Sequence, residues 1–235
     1  HPNIASVLYF GEVDGRYFLA MEYVDGPSLV KLLKQGAGRK ARRLDPAAAV
    51  HVAASLLRAL AYAHALQDDQ RKPMGVVHRD VSPQNVLVDR QGQVKLCDFG
   101  IATGSYRADH TRVGVVKGKA AYMAPEQATG GNLDARTDLY AVGLTLVTML
   151  QGAPAFEGRE TSAVQEMAAR GLSPEQIMAL DAPDSLKAVL QRALAATPAD
   201  HFENADAFLQ ALTSAAPDPT GAGQRLLAER VQGMS

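Results

Sequence analysis

Clusters of apolar side chains, and the glycine and proline positions between them, divide the chain into short strands followed by many helices. Residues 4–10 and 16–23 are dominated by aliphatic and aromatic side chains and read as two strands joined by a turn at 11–15. A helix opens near Ser28 and closes before Gly36. Asp45-Pro46 starts a longer helix, with Asp45 placed as N-cap and the proline in the tolerated first position. Val50, Ala53, Leu57, Leu60, Ala61 and His64 fall on one face of it, and His64 in that stripe reads as a hydrogen-bonded core histidine. Residues 86–88 and 94–97 flank Asp89-Arg90-Gln91-Gly92 as a short hairpin. The remainder is helical, with breaks at 152–154, 171–174 and 197–198. The longest apolar run, 139–150, falls short of the ~20 residues that span a bilayer and reads as a helix buried all round. From Pro217 a proline- and glycine-rich linker leads to a short amphipathic tail. No internal repeat is visible.

Composition narrows the class without deciding it. A chain of 235 residues with 47% hydrophobic residues, 21% charged residues and a net charge of −1 is an ordinary globular protein. That balance argues against a polyelectrolyte-binding surface, so no nucleic-acid partner is expected. The basic run 36–43 reads as a solvated connection. The single cysteine, Cys97, excludes an intrachain disulfide framework and fits a reducing compartment. The first residue is His1 rather than methionine, so targeting is not legible.

Three motifs decide the reading. His78-Arg79-Asp80-Val81-Ser82-Pro83-Gln84-Asn85 is followed by Asp98-Phe99-Gly100 and then by Ala124-Pro125-Glu126. The chain resembles the eukaryotic-like (Hanks-type) serine/threonine protein kinases of bacteria, whose signature is H-R-D-L-x-x-x-N, D-F-G and A-P-E in this order. Ten specified residues are met, each at a chance of roughly one in twenty, so coincidence is no competitor.

The resemblance implies an α+β, protein-kinase-like fold: a mostly helical C-lobe carrying remnant N-lobe strands. Residues 1–24 would be that remnant with its hinge, 25–216 the C-lobe, and 217–235 the linker and tail. It implies transfer of the ATP γ-phosphate to Ser/Thr hydroxyls of protein substrates, with ATP and Mg²⁺ as cofactors. Asp80 would accept or orient the acceptor hydroxyl's proton, while Asn85 and Asp98 would supply hard oxygens to Mg²⁺. Met21 would be the gatekeeper, the backbone of Glu22 and Val24 would bind adenine, and Leu87 would pack under the purine. His78 and Phe99 would pack the loops, and Asp138 would anchor the catalytic loop through backbone amides. Arg79 would pair with a phosphate on the activation segment, where Thr103, Ser105, Tyr106 and Thr111 are acceptors and Thr111 is the expected one. A cytoplasmic domain is expected, with a membrane anchor outside these residues left open.

Several departures qualify the resemblance. Ser82 stands where the family usually carries Lys, and Lys119 where it usually carries Thr. The two have in effect exchanged places, so Lys119 is expected to reach the γ-phosphate region from the opposite loop. His201 replaces the family's Arg, so the contact to Glu126 should be weaker and pH-dependent. The Gly-rich loop, strand Lys and helix Glu do not occur within residues 1–235, which reads as truncation; this fragment alone is expected to be inactive, with an exposed, sticky edge. Two other functions stay in play. One is a pseudokinase scaffold, favoured by Ser82 and His201. The other is a small-molecule phosphotransferase, disfavoured by Ala124-Pro125-Glu126.

Overall fold

The N-terminal hairpin turns later than its first glycine suggests. In the computed structural model, which describes residues 1–35, 38, 40–99, 120–156, 160–218 and 220–234, strand β1 (Val7–Val13) continues through Gly11. It pairs antiparallel with β2 (Arg16–Met21) in the register Val13↔Arg16. The turn is Asp14-Gly15, with φ of 51° and 73°. An Asp-Gly pair supplies two positive φ values in a row, as a tight two-residue hairpin requires. Val7, Leu8, Tyr9, Phe10 and Phe18 of this hairpin are exposed.

The residues before β1 are stitched into a second sheet. Ala5 N–H donates to the Leu96 carbonyl, Leu96 N–H to the Asn3 carbonyl, and Asn3 Nδ2 to the Val94 carbonyl, all at 2.9 Å. That sheet is the hairpin of β3 (Val86–Val88) and β4 (Val94–Leu96). On its other side, Val88 N–H donates to the Pro27 carbonyl and Arg90 N–H to the Asp25 carbonyl. The segment after β2 therefore lies against β3.

Helices make up the rest: α1 (Leu29–Leu33), α2 (Pro46–His64), α3 (Pro125–Thr129), α4 (Ala135–Gln151), α5 (Thr161–Arg170), α6 (Pro174–Met178), α7 (Asp184–Ala193), α8 (Ala205–Ala215) and α9 (Ala222–Gln232). The axis of the packing is α2, capped by Asp45 through Ala47 N–H at 2.8 Å and packed against β4, α4, α8 and α9. It is long and apolar enough to cross a membrane by length and composition, yet about two-thirds of it is buried in the fold. Residues 137–150 of α4 are all buried, as an apolar helix without a polar face demands.

The tail packs back onto the lobe. Asp218 accepts the N–H groups of Ala222 and Gly223, both at 2.7 Å, and so caps α9. Leu227 and Val231 are buried against α2. Gln224 Nε2 donates to the Gln91 carbonyl and Gln232 Nε2 to the Arg90 carbonyl, both at 3.0 Å. Close approach depends on Gly223: a Cβ there would lie 2.3 Å from the Ala47 carbonyl oxygen. Gly223→Val is expected to push α9 off α2 and lower stability by about 1–3 kcal/mol, the range for overpacking. Urea unfolding followed by far-UV circular dichroism reads this directly, the chain having no tryptophan.

Candidate active site

One buried carboxylate organises the loop that carries the first motif. Asp138, in the first turn of α4, is fully buried. Its Oδ2 accepts His78 N–H at 2.8 Å and its Oδ1 accepts Arg79 N–H at 2.7 Å. His64 Nε2, from the end of α2, lies 2.8 Å from Oδ2, so the histidine of the apolar stripe is hydrogen-bonded in the core. The helix pair thus holds two backbone donors at the start of the catalytic loop.

His78 continues the chain of contacts. Its Nδ1 accepts Asp80 N–H at 3.2 Å, so Nε2 carries the proton and donates to the Cys97 carbonyl at 2.9 Å. Phe99 packs edge-on against the imidazole with centroids 4.6 Å apart. Asn85 Nδ2 donates to the Asp80 carbonyl at 2.8 Å and to Asp80 Oδ2 at 2.9 Å. Both amide hydrogens are thereby committed to Asp80, which fixes the orientation of Oδ1 as the remaining acceptor. Cys97 N–H donates to the Asn85 carbonyl at 2.9 Å. Asp80, Asn85 and Asp98 therefore sit on segments that are directly hydrogen-bonded to one another.

The electrostatics agree with that proximity. Burial pushes the Cys97 thiol up to about 12, and the negative charges of Asp98 and Asp80 both add to it. The thiol stays protonated near neutral pH and donates to the Asn85 carbonyl, as a small buried residue does. Arg79 and Asp98 both adopt left-handed backbone, with φ of 66° and 64°. Such a conformation costs about 1–3 kcal/mol for a residue with a side chain and persists only where neighbours enforce it.

The hinge residues lie beside this centre. Met21 ends β2, and Glu22 N–H donates to the Ser6 carbonyl at 2.9 Å. Glu22 Oε1 accepts Ser6 N–H at 2.7 Å and meets Lys95 Nζ at 3.0 Å. The Ser6 amide first, and then Lys95, hold the Glu22 carboxyl below its ordinary range. Among the described residues, neither the Glu22 carbonyl nor the Val24 N–H has a partner. Leu87, half-buried in β3, bridges to Ser28, one strand away from the segment following the hinge.

Two hard oxygen donors, the Asp98 carboxylate and Asn85 Oδ1, suit Mg²⁺, which completes its shell with phosphate and water oxygens. Among the described residues no group of three or more His, Cys, Asp or Glu side chains is arranged around a metal. Lys119, Gly100 and the acceptors Thr103, Ser105, Tyr106 and Thr111 lie outside the described residues.

The expectation for His201 needs correcting. It is buried, but its Nε2 lies 2.7 Å from the Ala195 carbonyl and its ring packs on Tyr140. Glu126 is held instead by Thr137, whose Oγ1 donates to Oε1 at 2.7 Å. A short imidazole cannot do what a long guanidinium does, and a hydroxyl on the neighbouring helix takes its place. Thr137 and Gln127, which links α3 to the loop, were not singled out from the sequence. The one available signal was the Asp134 N-cap, which fixes where α4 starts and so which face Thr137 occupies.

The chain has counterparts among known proteins. The sequence profile of the protein kinase domain matches residues 1–218. The chain is 39% identical over 213 residues to the tyrosine-protein kinase MasK of Myxococcus xanthus, covering 90% of this chain and 33% of MasK. It is 33% identical over 210 residues to the serine/threonine-protein kinase PrkC of Bacillus subtilis, covering 88% and 30%. The crystal structure of the Mycobacterium tuberculosis PknI kinase domain, C20A mutant, superposes with a TM-score of 0.62 at 32% identity, covering 92% of this chain and 72% of that one. The chain belongs to the protein kinase domain family.

Its α+β architecture is that of the kinase domain, and the chain spans about a third of the length of the curated relatives it matches. In this kinase domain the Asp138 carboxylate holds three groups at once, His64, His78 N–H and Arg79 N–H. Asp138→Ala would leave two buried backbone N–H groups and an imidazole without their acceptor. Stability should fall by about 3–5 kcal/mol, the range for breaking a buried charge network. The midpoint of urea unfolding measures it.

Proposed function

We propose that the protein transfers the γ-phosphate of ATP to Ser/Thr hydroxyls of protein substrates. The observation that supports this most is the shared hydrogen bonding of Asp80, Asn85 and the strand leading into Asp98. In this reading Asp80 receives the proton of the acceptor hydroxyl as that oxygen forms its bond to phosphorus and the bond to the ADP oxygen breaks. Asn85 Nδ2 holds Asp80 Oδ2 at 2.9 Å, which orients the carboxylate toward the acceptor and reserves Asn85 Oδ1 for the metal. Mg²⁺ bound by Asn85 and Asp98 would offset the charge of the transferring phosphate. The Glu22 carbonyl and the Val24 amide supply adenine-binding groups, with Met21 and Leu87 as apolar walls; the Val24 carbonyl already accepts Gly26 N–H. Lys119 supplies the cation that Ser82 cannot.

Residues 1–24 serve as N-lobe strands and hinge, 25–216 as the C-lobe, and 217–235 as linker and short C-terminal tail. In this reading the kinase domain is cytoplasmic, with ATP and proteins as its partners and no nucleic acid, and a membrane anchor outside these residues stays open.

Full-length protein incubated with radiolabelled ATP and a protein substrate tests the reading through phosphoamino-acid analysis. Label on serine or threonine is expected. Label confined to tyrosine would overturn the acceptor assignment, and MgATP binding without transfer would favour the scaffold. Asp80→Asn should lower transfer by about 10²–10⁴-fold, the worth of a general base. Lys119→Ala should lower kcat about tenfold or more at unchanged protein stability; turnover within a few-fold of the parent removes Lys119 from the site.

A further inference from the structure

Gln127 follows the Ala124-Pro125-Glu126 motif, and its side chain reaches out of α3 to the catalytic loop. Nε2 donates to the Arg79 carbonyl at 2.9 Å, and Oε1 accepts Ala124 N–H at 3.0 Å. The peptide group between Arg79 and Asp80 is thus held at both polar atoms. Its carbonyl oxygen is on Gln127, and its N–H is on His78 Nδ1. Arg79's own N–H is on Asp138 Oδ1. Arg79 has φ of 66°, a conformation that an arginine keeps only while it is held. Among the described residues, Gln127 is the one member of this clamp that comes from the segment closing the activation region.

We propose that Gln127 is a positioning residue that couples the Ala124-Pro125-Glu126 end of the activation segment to the orientation of Asp80. Displacing α3 draws Nε2 away from the Arg79 carbonyl, frees the peptide plane and lets Asp80 turn from the acceptor. The catalytic consequence rests on the phosphotransfer reading; the mechanical link does not.

A bland role competes with this one. Oε1 on Ala124 N–H is half of a capping box, which would make Gln127 a helix-start residue and nothing more. Glutamate performs that capping equally well. Its ionised carboxylate cannot donate to the Arg79 carbonyl, so Gln127→Glu separates the two roles. Gln127→Met, which removes both hydrogen bonds without adding charge, guards against an effect of charge alone. Thr129→Val, elsewhere on α3, is the control.

In full-length protein at pH 7.5, Gln127→Glu should speed hydrogen exchange at amides 78–81 about three- to tenfold, the worth of one hydrogen bond. In the same variant kcat should fall by a similar factor, roughly three- to tenfold, with KM for ATP within about twofold of the parent. The variant-to-parent ratio of kcat should recover as pH falls through titration of the introduced carboxyl, because the protonated acid can again donate. Gln127→Met should show the faster exchange without that recovery, and Thr129→Val should match the parent. Unchanged exchange at 78–81 in Gln127→Glu and Gln127→Met overturns the link, whatever the activity. A pH-independent kcat ratio in Gln127→Glu overturns the coupling of that link to Asp80. A parent that transfers no phosphate, with exchange altered as expected, overturns the phosphotransfer reading and leaves the link standing.

Discussion

The catalytic loop takes its shape from a buried negative charge at the start of α4. Loops have no ladder of their own, so their backbone groups must find partners elsewhere. Here Asp138 provides them, gathering the N–H groups of His78 and Arg79 along with the His64 imidazole. A fully buried carboxylate is tolerable only when its oxygens are satisfied, and these three donors satisfy it. Stabilisation runs both ways: the loop neutralises the cost of burying the charge, and the charge holds the loop. Hydrogen bonds to an ionised group contribute about 1.5–3 kcal/mol each, which exceeds or matches the roughly 1–3 kcal/mol needed to keep Arg79 in a left-handed conformation. The strained residue beside Asp80 is therefore affordable.

A second set of contacts fixes the hinge to the same framework. The segment before β1 and the segment after β2 both attach to the β3–β4 hairpin, one at Leu96 and the other at Val88 and Arg90. Glu22 adds a side-chain tie to Lys95 of β4. Because Cys97, immediately after β4, is bonded to Asn85 and His78, the segment around Glu22 is tied to the catalytic loop within a few residues. The segments flanking the first hairpin and the loop carrying Asn85 are joined through one three-residue strand, β4.

That the motif segments meet was legible in the sequence: Asp80 and Asn85 are hydrogen-bonded to each other, and Cys97, next to Asp98, to Asn85. The strongly patterned elements were legible too. The α2 stripe and its Asp45 cap follow from local rules, and so does the all-apolar α4. The β1–β2 turn lies within the expected span, but the end of β1 was set three residues early because Gly11 resembles a breaker. Its true role is inside the strand, opposite Phe18, while the adjoining Asp14-Gly15 pair carried the better signal. The partner of Glu126 was not legible at all. Which of several hydroxyls and cations reaches a carboxylate depends on helix rotation and approach, which no residue spacing along one chain encodes.

The departures from the family pattern make sense against this division of labour. His201 and Ser82 are the two that fall among the described residues, and neither side chain belongs to the clamp around Asp80. His201 turns to the Ala195 carbonyl, and Ser82 contributes its backbone carbonyl to Asn85 N–H, a bond any residue could make. Every member of the clamp, by contrast, uses a chemically specific side chain: a carboxylate accepting two amides, an imidazole that both accepts and donates, an amide that does the same from α3. Substitution is absorbed where a backbone group or a neighbouring hydroxyl such as Thr137 can serve. It is not absorbed where one side chain must present a donor and an acceptor together, and that distinction separates residues that shape the domain from those that hold Asp80 in place.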